Sequence, residues 1–574
     1  MKCFGTSYLA YSELWLSVHH KFQIEETKCH VCLLGGRCHS GRVMALNDNW
    51  GYKKGTEIVF IKCKSGYSCP HLECMTFSSC AENRIGTVCS KCIDNSLLGL
   101  KTDTCYPKGK CKSNLVWPIM FINAMVFAIL ILFKNDFGAK IHLVLKRFMR
   151  YRRCKVSIAN IDNEESYKTN DNIEDGSLLS RLLLIYYHGF WYIVIYHMQD
   201  AKLFHATVSD SKFSQILATK PAVREFFSLP ILLSRDSCLP GINAIVKSIC
   251  QLSLIPFVMF LFCLIYLTVY ILRTTSVRFS ATIWQIRLFT GILILISLFF
   301  QRIAITLFTL ISCVYVNDNR HLLLHGETEC WQFWQVWIII YIIFSILLQW
   351  LVFLLGPNLL YEKSISFVEF VFAIFVPFPF LIYWLIKSCP KIQMNATRMN
   401  HRRNEPTVFE KNVLEEIFGL FDLDKFPYSM CWIGFVQIRR LTLVLAHIFI
   451  GNQVTKIFLM TLISISAVII EISVKPYKDQ LLNMLSFISL FSLSLVSSIN
   501  LAFSIIDYSE TEIPIFAVPV INTFLLTEEV FSFWVLLFLL ILKIFSICMV
   551  ISKQTTPETN KKDIENVSNK YTSK

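Results

Sequence analysis

Ten apolar windows of about 20 residues follow residue 114, and they constrain the fold of this chain more than any other feature. A bilayer core of about 30 Å requires roughly 20 apolar residues per spanning helix. With 54% hydrophobic residues and 47 Phe among 574 residues, the chain is also too apolar for ordinary soluble domains. The sequence therefore predicts an all-α polytopic transmembrane bundle of about nine or ten helices embedded in a lipid bilayer.

Cysteine usage separates residues 1–114 from the rest of the chain. Twelve of the 21 cysteines lie there, a density typical of disulfide-rich domains in oxidising compartments. We predict a small extracellular domain of short strands and loops. The cysteines expected to bond in it are Cys29, Cys32, Cys38, Cys63, Cys69, Cys74, Cys80, Cys89, Cys92, Cys105 and Cys111, with Cys3 in the same group. The two Cys-x-x-Cys pairs could instead bind zinc, but eight cysteines would then be left over, so we expect no metal.

Basic residues orient the windows in the membrane. The first span, 115–133, is followed by eight Lys or Arg within 134–155, a cluster favoured on the cytoplasmic side. The predicted order is then a cytoplasmic linker (134–177), a bundle (178–386), a cytoplasmic segment with an amphipathic helix at 407–421 (387–432), a four-helix core (433–552) and a tail (553–574). We expect a plasma-membrane protein with its N-terminus outside and its C-terminus inside, so that the sequons at Asn395 and Asn566 carry no glycan.

One of the ten windows, residues 366–386, is not expected to cross the bilayer completely. If 366–386 crossed the bilayer, the basic segment after Lys387 would lie outside, against the positive-inside tendency. Pro377 and Pro379 interrupt the backbone hydrogen bonding that a lipid-exposed helix needs. We therefore predict that this window is a partial or re-entrant pass.

Four cysteines outside the N-terminal domain fall on the outer side of this topology. Cys238 could pair with Cys250, and Cys313 with Cys330. The alternative is that they are free, because free cysteine is common in apolar helices.

Two stretches resemble known families. The run 78–105, "SSCAENRIGTVCSKCIDNSLLGLKTDTC", resembles the laminin-EGF-like and ephrin-receptor-like cysteine-rich modules in its N-x-x-G-x-x-C-x-x-C form. Residues 430–449 and 474–501, with the "KPY" turn between them, are similar to the core of transient-receptor-potential-like proteins, including polycystin-related and fungal ones. The whole layout looks like invertebrate membrane proteins of this kind. The resemblance implies a cation-channel-like fold.

Charged residues within apolar windows are candidate functional groups. Arg302 lies in "ISLFFQRIAITLFTLISC", and a charge at the bilayer centre costs at least about 2.5–3.5 kcal/mol, so it needs a partner. Glu369 and Glu471 are the carboxylates available in apolar windows, and we predict an intramembrane pair with one of them; a purely structural contact is the alternative to a gating role. Arg439 and Arg440 are expected to reach the inner headgroups.

The loop 506–529 is the candidate selectivity element. It contains no Lys or Arg and carries Asp507, Glu510, Glu512, Glu528 and Glu529, and carboxylate rings concentrate cations when subunits assemble around an axis. A homo-oligomer is the assembly this would require, although an extracellular loop can also simply be acidic. Lys543, in the last window, would repel cations and must be paired if its helix lines the pore.

The sequence contains no catalytic motif such as GxSxG, HExxH or a P-loop, so we expect neither an enzyme nor a cofactor. The net charge of +14 comes mainly from the short connections between windows, which speaks against a nucleic-acid partner. The leading hypothesis is a cation channel. The alternatives are a non-conducting receptor or adhesion protein that binds an unknown extracellular ligand and, less favoured, a transporter or scramblase.

Overall fold

The computed structural model describes residues 7–9, 29–31, 35–111 with short gaps, 237–238, 241–275, 281–361, 365–387, 421 and 431–508, together with single helical positions within 118–125 and 193–204. The predicted spans 115–133, 178–196 and 530–552 lie wholly or largely outside these residues, as does most of the amphipathic segment 407–421. Phe421, its one described residue, stacks its ring on that of Tyr477, with 5.6 Å between the ring centroids.

The cysteine-rich domain consists of short antiparallel pairs of strands. These are β1 (Ser7–Leu9), β2 (Cys29–Val31), β3 (Gly36–His39), β4 (Arg42–Ala45), β5 (Asn49–Lys54), β6 (Glu57–Lys62), β7 (Arg84–Ile85), β8 (Lys91–Cys92), β9 (Ser96–Leu98) and β10 (Cys105–Pro107). Isolated two-stranded hairpins are marginally stable in water. Disulfides and a small core around Tyr67 and Val88 therefore stabilise the domain.

Nine α-helices are described after residue 243. They are α1 (Ala244–Thr275), α2 (Ala281–Ile311), α3 (Phe333–Tyr341), α4 (Leu347–Tyr361), α5 (Phe367–Phe375), α6 (Pro377–Lys387), α7 (Trp432–Phe449), α8 (Gln453–Val474) and α9 (Gln480–Tyr508). A π-helical turn, Ile342–Ile346, joins α3 to α4. Five segments are long and apolar enough to cross a membrane, by length and composition: Gly291–Ile311, Phe333–Leu360, Trp432–Phe449, Gln453–Val474 and Gln480–Ala502.

A three-stranded sheet connects α2 to α3, where the sequence predicted only a polar loop. Its strands are β11 (Cys313–Val316), β12 (Asn319–Leu322) and β13 (His325–Glu329). The turn between β11 and β12 uses Asn317 and Asp318 at φ 48° and 69°, a conformation that Asn and Asp tolerate better than other side chains. The sheet packs closely on the cysteine-rich domain, because a Cβ on Gly326 would lie 2.4 Å from the carbonyl oxygen of Thr87.

One end of the bundle carries the cysteine-rich domain, and we call it the disulfide-rich end. Lys247, in the first turns of α1, contacts Asp103, and Lys62 donates a hydrogen bond to Gln453 at the start of α8 over 2.8 Å. The short turn 475–479 makes α9 antiparallel to α8, so α9 ends at the disulfide-rich end. The turn itself lies at the opposite end of the bundle.

Helices α5 and α6 form a hairpin that turns back within the bundle. The backbone breaks at Val376, and the Tyr383 hydroxyl donates to Glu369 Oε1 over 3.3 Å, whereas in one straight helix these residues would be about 21 Å apart. At the tip, the ring of Phe378 lies 4.6 Å from that of Phe344 in the π-helical turn. At the base, Phe370 packs on Gly356 near the end of α4. The predicted interruption near Pro377 and Pro379 is present as this break, and residues 366 and 387 both lie toward the opposite end; the partial or re-entrant pass stays a prediction.

Candidate functional site

The predicted pairing of Arg302 with Glu369 or Glu471 was wrong. Glu369 is the third residue of α5, and its carboxylate accepts hydrogen bonds from the Ser366 backbone N–H (3.0 Å) and from the Tyr383 hydroxyl. Arg302 is half-buried on α2, and within the described residues no ion pair joins its side chain to either carboxylate. Glu369 is held instead by the capping geometry of its own helix.

A buried ion cluster is centred on Asp200, one of the helical positions between 193 and 204. Asp200 is 0% exposed, and its Oδ2 atom accepts a hydrogen bond from Arg439 Nη2 over 2.5 Å. Its Oδ1 atom lies 3.5 Å from Arg440 Nε. Arg439 and Arg440 are 7% and 1% exposed, so they do not extend to headgroups as the sequence led us to expect. The two adjacent arginines of α7 share one carboxylate inside the bundle.

Neutral polar groups complete the surroundings of Arg440. Its Nε and Nη2 atoms donate to Gln301 Oε1 over 3.2 and 2.6 Å, its Nη1 donates to the Ser297 carbonyl over 3.4 Å, and Nη2 also donates to Gln199. The guanidinium carbon lies 4.4 Å from the centroid of the Tyr196 ring, a cation–π distance. The Tyr196 hydroxyl in turn lies 2.6 Å from Ser297 Oγ. Buried charge is therefore distributed over several hydrogen bonds, as a low-dielectric interior requires.

Helical spacing explains why Gln301, rather than its neighbour Arg302, reaches this cluster. Ser297, Gln301 and Ala304 are separated by four and three residues and lie on one buried face of α2. Arg302 is rotated from Gln301 by about 100° around the helix. The Ser297–Gln301 spacing inside an apolar run was the signal that could have located the cluster. Asp200 was missed because it follows the predicted span 178–196.

Glu471, on α8, is a second buried carboxylate beside this cluster. It is 2% exposed, and neither of its carboxylate oxygens has a hydrogen-bond partner among the described residues. The Arg439 guanidinium and the Ser486 hydroxyl are close enough to act on it electrostatically. Two guanidiniums and two carboxylates thus occupy this region, and their charges balance only when Glu471 is ionised.

Two cavities adjoin these carboxylates. A small one of about 30 Å³ is lined by polar side chains that include His197, Asp200, Arg439, Tyr477 and Ser486, together with apolar ones, and has room for about two water molecules. A wide pocket of about 850 Å³ lies at the opposite end, between α8 and α9. Tyr477 lines both cavities, and Glu471 lines the wide one.

A row of buried polar residues continues from this region along α9. Ser486, Ser489, Ser497, Asn500 and Ser504 are all buried. Their spacings of 3, 8, 3 and 4 residues keep them near one helix face. Ser489 Oγ lies 3.0 Å from His197 Nδ1, and Ser497 Oγ lies 2.6 Å from Thr461 Oγ1 on α8. Buried polar groups thus occur along α9, and one of them, Ser497, bonds across to α8.

The predicted pore-mouth residues lie almost entirely outside the described part of the chain. The backbone of Asp507 belongs to the last turn of α9. Glu510, Glu512, Glu528, Glu529 and Lys543 are not described, and their roles stay predictions.

Four disulfide bonds are described: Cys80–Cys89, Cys92–Cys105, Cys111–Cys238 and Cys313–Cys330. The last is the pairing expected from the sequence. The pairing of Cys238 with Cys250 was wrong, because the chain around Cys238 lies against the cysteine-rich domain, where the Leu100 N–H donates to the Ser237 carbonyl over 2.8 Å. Cys250 is inside α1 and forms no disulfide. The bond predicted for Cys63 is not formed, since its buried thiol donates to the Ile61 carbonyl instead. The bonding predicted for Cys29, Cys32, Cys38, Cys69 and Cys74 stays a prediction.

An ion triad reinforces the Cys111–Cys238 connection between the cysteine-rich domain and α1. The Asp103 carboxylate lies 3.0 Å from Lys64 Nζ in the domain and 2.8 Å from Lys247 Nζ in α1. Burial alone would raise the pKa of Asp103, but the two ammonium charges and their hydrogen bonds hold that pKa well below its usual range. Asp103 is therefore a carboxylate anchor between the two parts of the molecule.

The five apolar helices and the ion cluster between them indicate a multi-pass integral membrane protein with a disulfide-bonded N-terminal region. No family model, curated protein or solved structure matches the chain. The resemblances to transient-receptor-potential-like and cysteine-rich modules accordingly depend on the sequence motifs alone.

Proposed function

We propose that this protein is a cation-channel-like membrane protein of the transient-receptor-potential-like type, in which an extracellular cysteine-rich domain is mechanically connected to the helices. The observation that carries the proposal is the double attachment of that domain, by the Cys111–Cys238 bond to the segment just before α1 and by the Asp103–Lys247 ion pair to α1 itself. A further contact, from Lys62 to Gln453, reaches the start of α8. A ligand that moved the domain would therefore displace helices directly.

The position of α9 supports a pore entrance on the same side. This helix returns the chain to the disulfide-rich end, where the acidic loop 506–529 begins. In a homo-oligomer the carboxylates of this loop would form a ring on the side of the cysteine-rich domain and would raise the local concentration of cations.

Neutralising the loop is expected to abolish a cation current. Cells that express the protein should show a whole-cell cation current, and the double variant Glu510→Gln and Glu512→Gln should lose it while still reaching the cell surface. The matched control is Glu57→Gln with Glu82→Gln, which removes two exposed carboxylates from the cysteine-rich domain and should leave the current unchanged.

A non-conducting receptor is the second candidate, because the same attachment of domain to helix suits ligand-driven signalling without conduction. No current from the surface-expressed protein, combined with a ligand that binds residues 1–114, would favour this function over the channel. A current that persists in the Glu510→Gln, Glu512→Gln variant would contradict the proposed role of the loop.

A further inference from the structure

Glu471 is a buried carboxylate that accepts no hydrogen bond of normal geometry from the described residues, although the Ser486 hydroxyl lies nearby. Both of its oxygens are inaccessible, and neither is hydrogen-bonded within the described residues. An isolated ionised carboxylate in a low-dielectric interior carries a large free-energy cost, which protein groups avoid by pairing or by taking up a proton. Glu369, the other carboxylate in an apolar window, is satisfied by Ser366 and Tyr383. The Glu471 carboxylate therefore needs a proton or a cation to offset its charge, whereas the Glu369 carboxylate already accepts hydrogen bonds.

The surroundings of Glu471 connect it to both cavities. It lines the pocket of about 850 Å³ at the opposite end of the bundle, and its neighbours Ser486 and Arg439 line the small cavity of about 30 Å³. Tyr477 lies between the two spaces. The carboxylate oxygens are buried beneath the pocket wall, so a proton carried by water in the wide pocket would reach Glu471 by a movement of this side chain and without crossing the apolar core.

The charged and titratable groups around Glu471 come from three elements. They are Arg439 on α7, Lys475, Tyr477, Lys478 and Asp479 in the turn after α8, and His197 and Asp200 in the segment 193–204. The neighbouring guanidinium opposes a metal cation, and no group of three potential metal-binding side chains occurs in the described residues. A proton needs no such ligand set, because it forms an O–H bond with one carboxylate oxygen.

We propose that Glu471 is a proton-binding site that opens toward the end opposite the cysteine-rich domain. When its carboxylate takes a proton from water in the wide pocket, the region containing Arg439, Arg440 and Asp200 gains one unit of positive charge. Arg439 then has Asp200 as its only ionised partner there. Protonation thereby changes the electrostatic attraction between α8 and α7, independently of whether the protein conducts ions.

Infrared difference spectroscopy tests this site in the purified full chain in lipid nanodiscs. Spectra between about pH 5 and about pH 9 cover the range in which a buried carboxyl can titrate. We expect a carbonyl stretching band of a protonated carboxyl that disappears as the pH rises, and that shifts on transfer to D₂O because the site has access to water. Glu471→Gln should lack this band, and Glu369→Gln, the matched control, should retain it.

A conservative substitution and a titration with sodium test the site further. If Glu471→Gln does not fold, Glu471→Asp should retain a titrating band at a shifted frequency, because the carboxyl is kept and moved. A titration with NaCl at constant pH, against a matched choline chloride control, should leave the band unchanged. A band unaffected by both substitutions, no titrating band in the parent protein, or displacement of the band by sodium alone would each overturn the assignment.

Discussion

Replacement of Asp200 by Ala is expected to lower the free energy of unfolding by about 3–5 kcal/mol, because removing one partner leaves uncompensated buried charge. The two arginines it serves are 7% and 1% exposed, so neither can reach solvent without a change in packing. Gln301 and Gln199 would still accept hydrogen bonds from Arg440, but among the residues that the structure describes no carboxylate would remain within hydrogen-bonding distance of either guanidinium. We expect a large decrease in the denaturation midpoint of the detergent-solubilised protein.

A double substitution separates this charge effect from a simple packing defect. Adding Arg439→Met to Asp200→Ala removes one unpaired guanidinium and should recover a substantial part of the lost stability. Glu82→Ala serves as the control, since that side chain is exposed on the cysteine-rich domain, and it should cause no measurable change. A stability of Asp200→Ala within about 1 kcal/mol of the parent protein would show that the cluster is not the buried network described above.

The Cys111–Cys238 bond is expected to hold the two halves of a cut chain together completely. The bonded residues are 127 positions apart and enclose the linker 134–177. If a protease site is inserted within 156–177 and cleaved, the N-terminal fragment should stay attached on a non-reducing denaturing gel and be released by reductant. In the Cys111→Ser, Cys238→Ser variant it should be released without reductant.

The control for this experiment is Cys313→Ser with Cys330→Ser. Both of these cysteines lie on the same side of the cut, so their loss should not release the fragment. Removing a native disulfide from a small domain typically costs about 2–5 kcal/mol. The Cys111→Ser, Cys238→Ser variant should therefore also have a lower free energy of unfolding than the parent protein. Complete release of the fragment from the parent protein under non-reducing conditions would exclude the bond.

Local patterns predicted the features that depend on few residues. Apolar windows located the membrane-length helices, and the paired prolines at 377 and 379 indicated that the 366–386 segment is interrupted. The short spacing of Cys313 and Cys330 suggested their bond, and the structure adds that an Asn317–Asp318 turn builds a sheet between them. These features are set by spacing and backbone preference along a single stretch of chain.

The ion cluster could not be derived in this way, because it depends on which helices are neighbours. Asp200 and Arg439 are 239 residues apart, and nothing in either local sequence identifies the other as its partner. A buried arginine does need a partner. The residue that has one in the ion cluster is Arg440, which is less exposed than Arg302. Charge alone does not reveal which face of a helix is turned toward the bundle.

We propose that the chain crosses the membrane so that the cysteine-rich domain and residues 388–430 lie on opposite sides. The α5–α6 hairpin supports this proposed arrangement, because it returns the chain to the end at which α4 finishes. Glycan mapping tests the claim directly. Lys54→Asn completes an Asn-Gly-Thr acceptor in the exposed β5–β6 turn, and this variant should gain one glycan while the native Asn395-Ala-Thr acceptor remains unmodified. A glycan on Asn395, or none in the Lys54→Asn variant at the cell surface, would contradict the account.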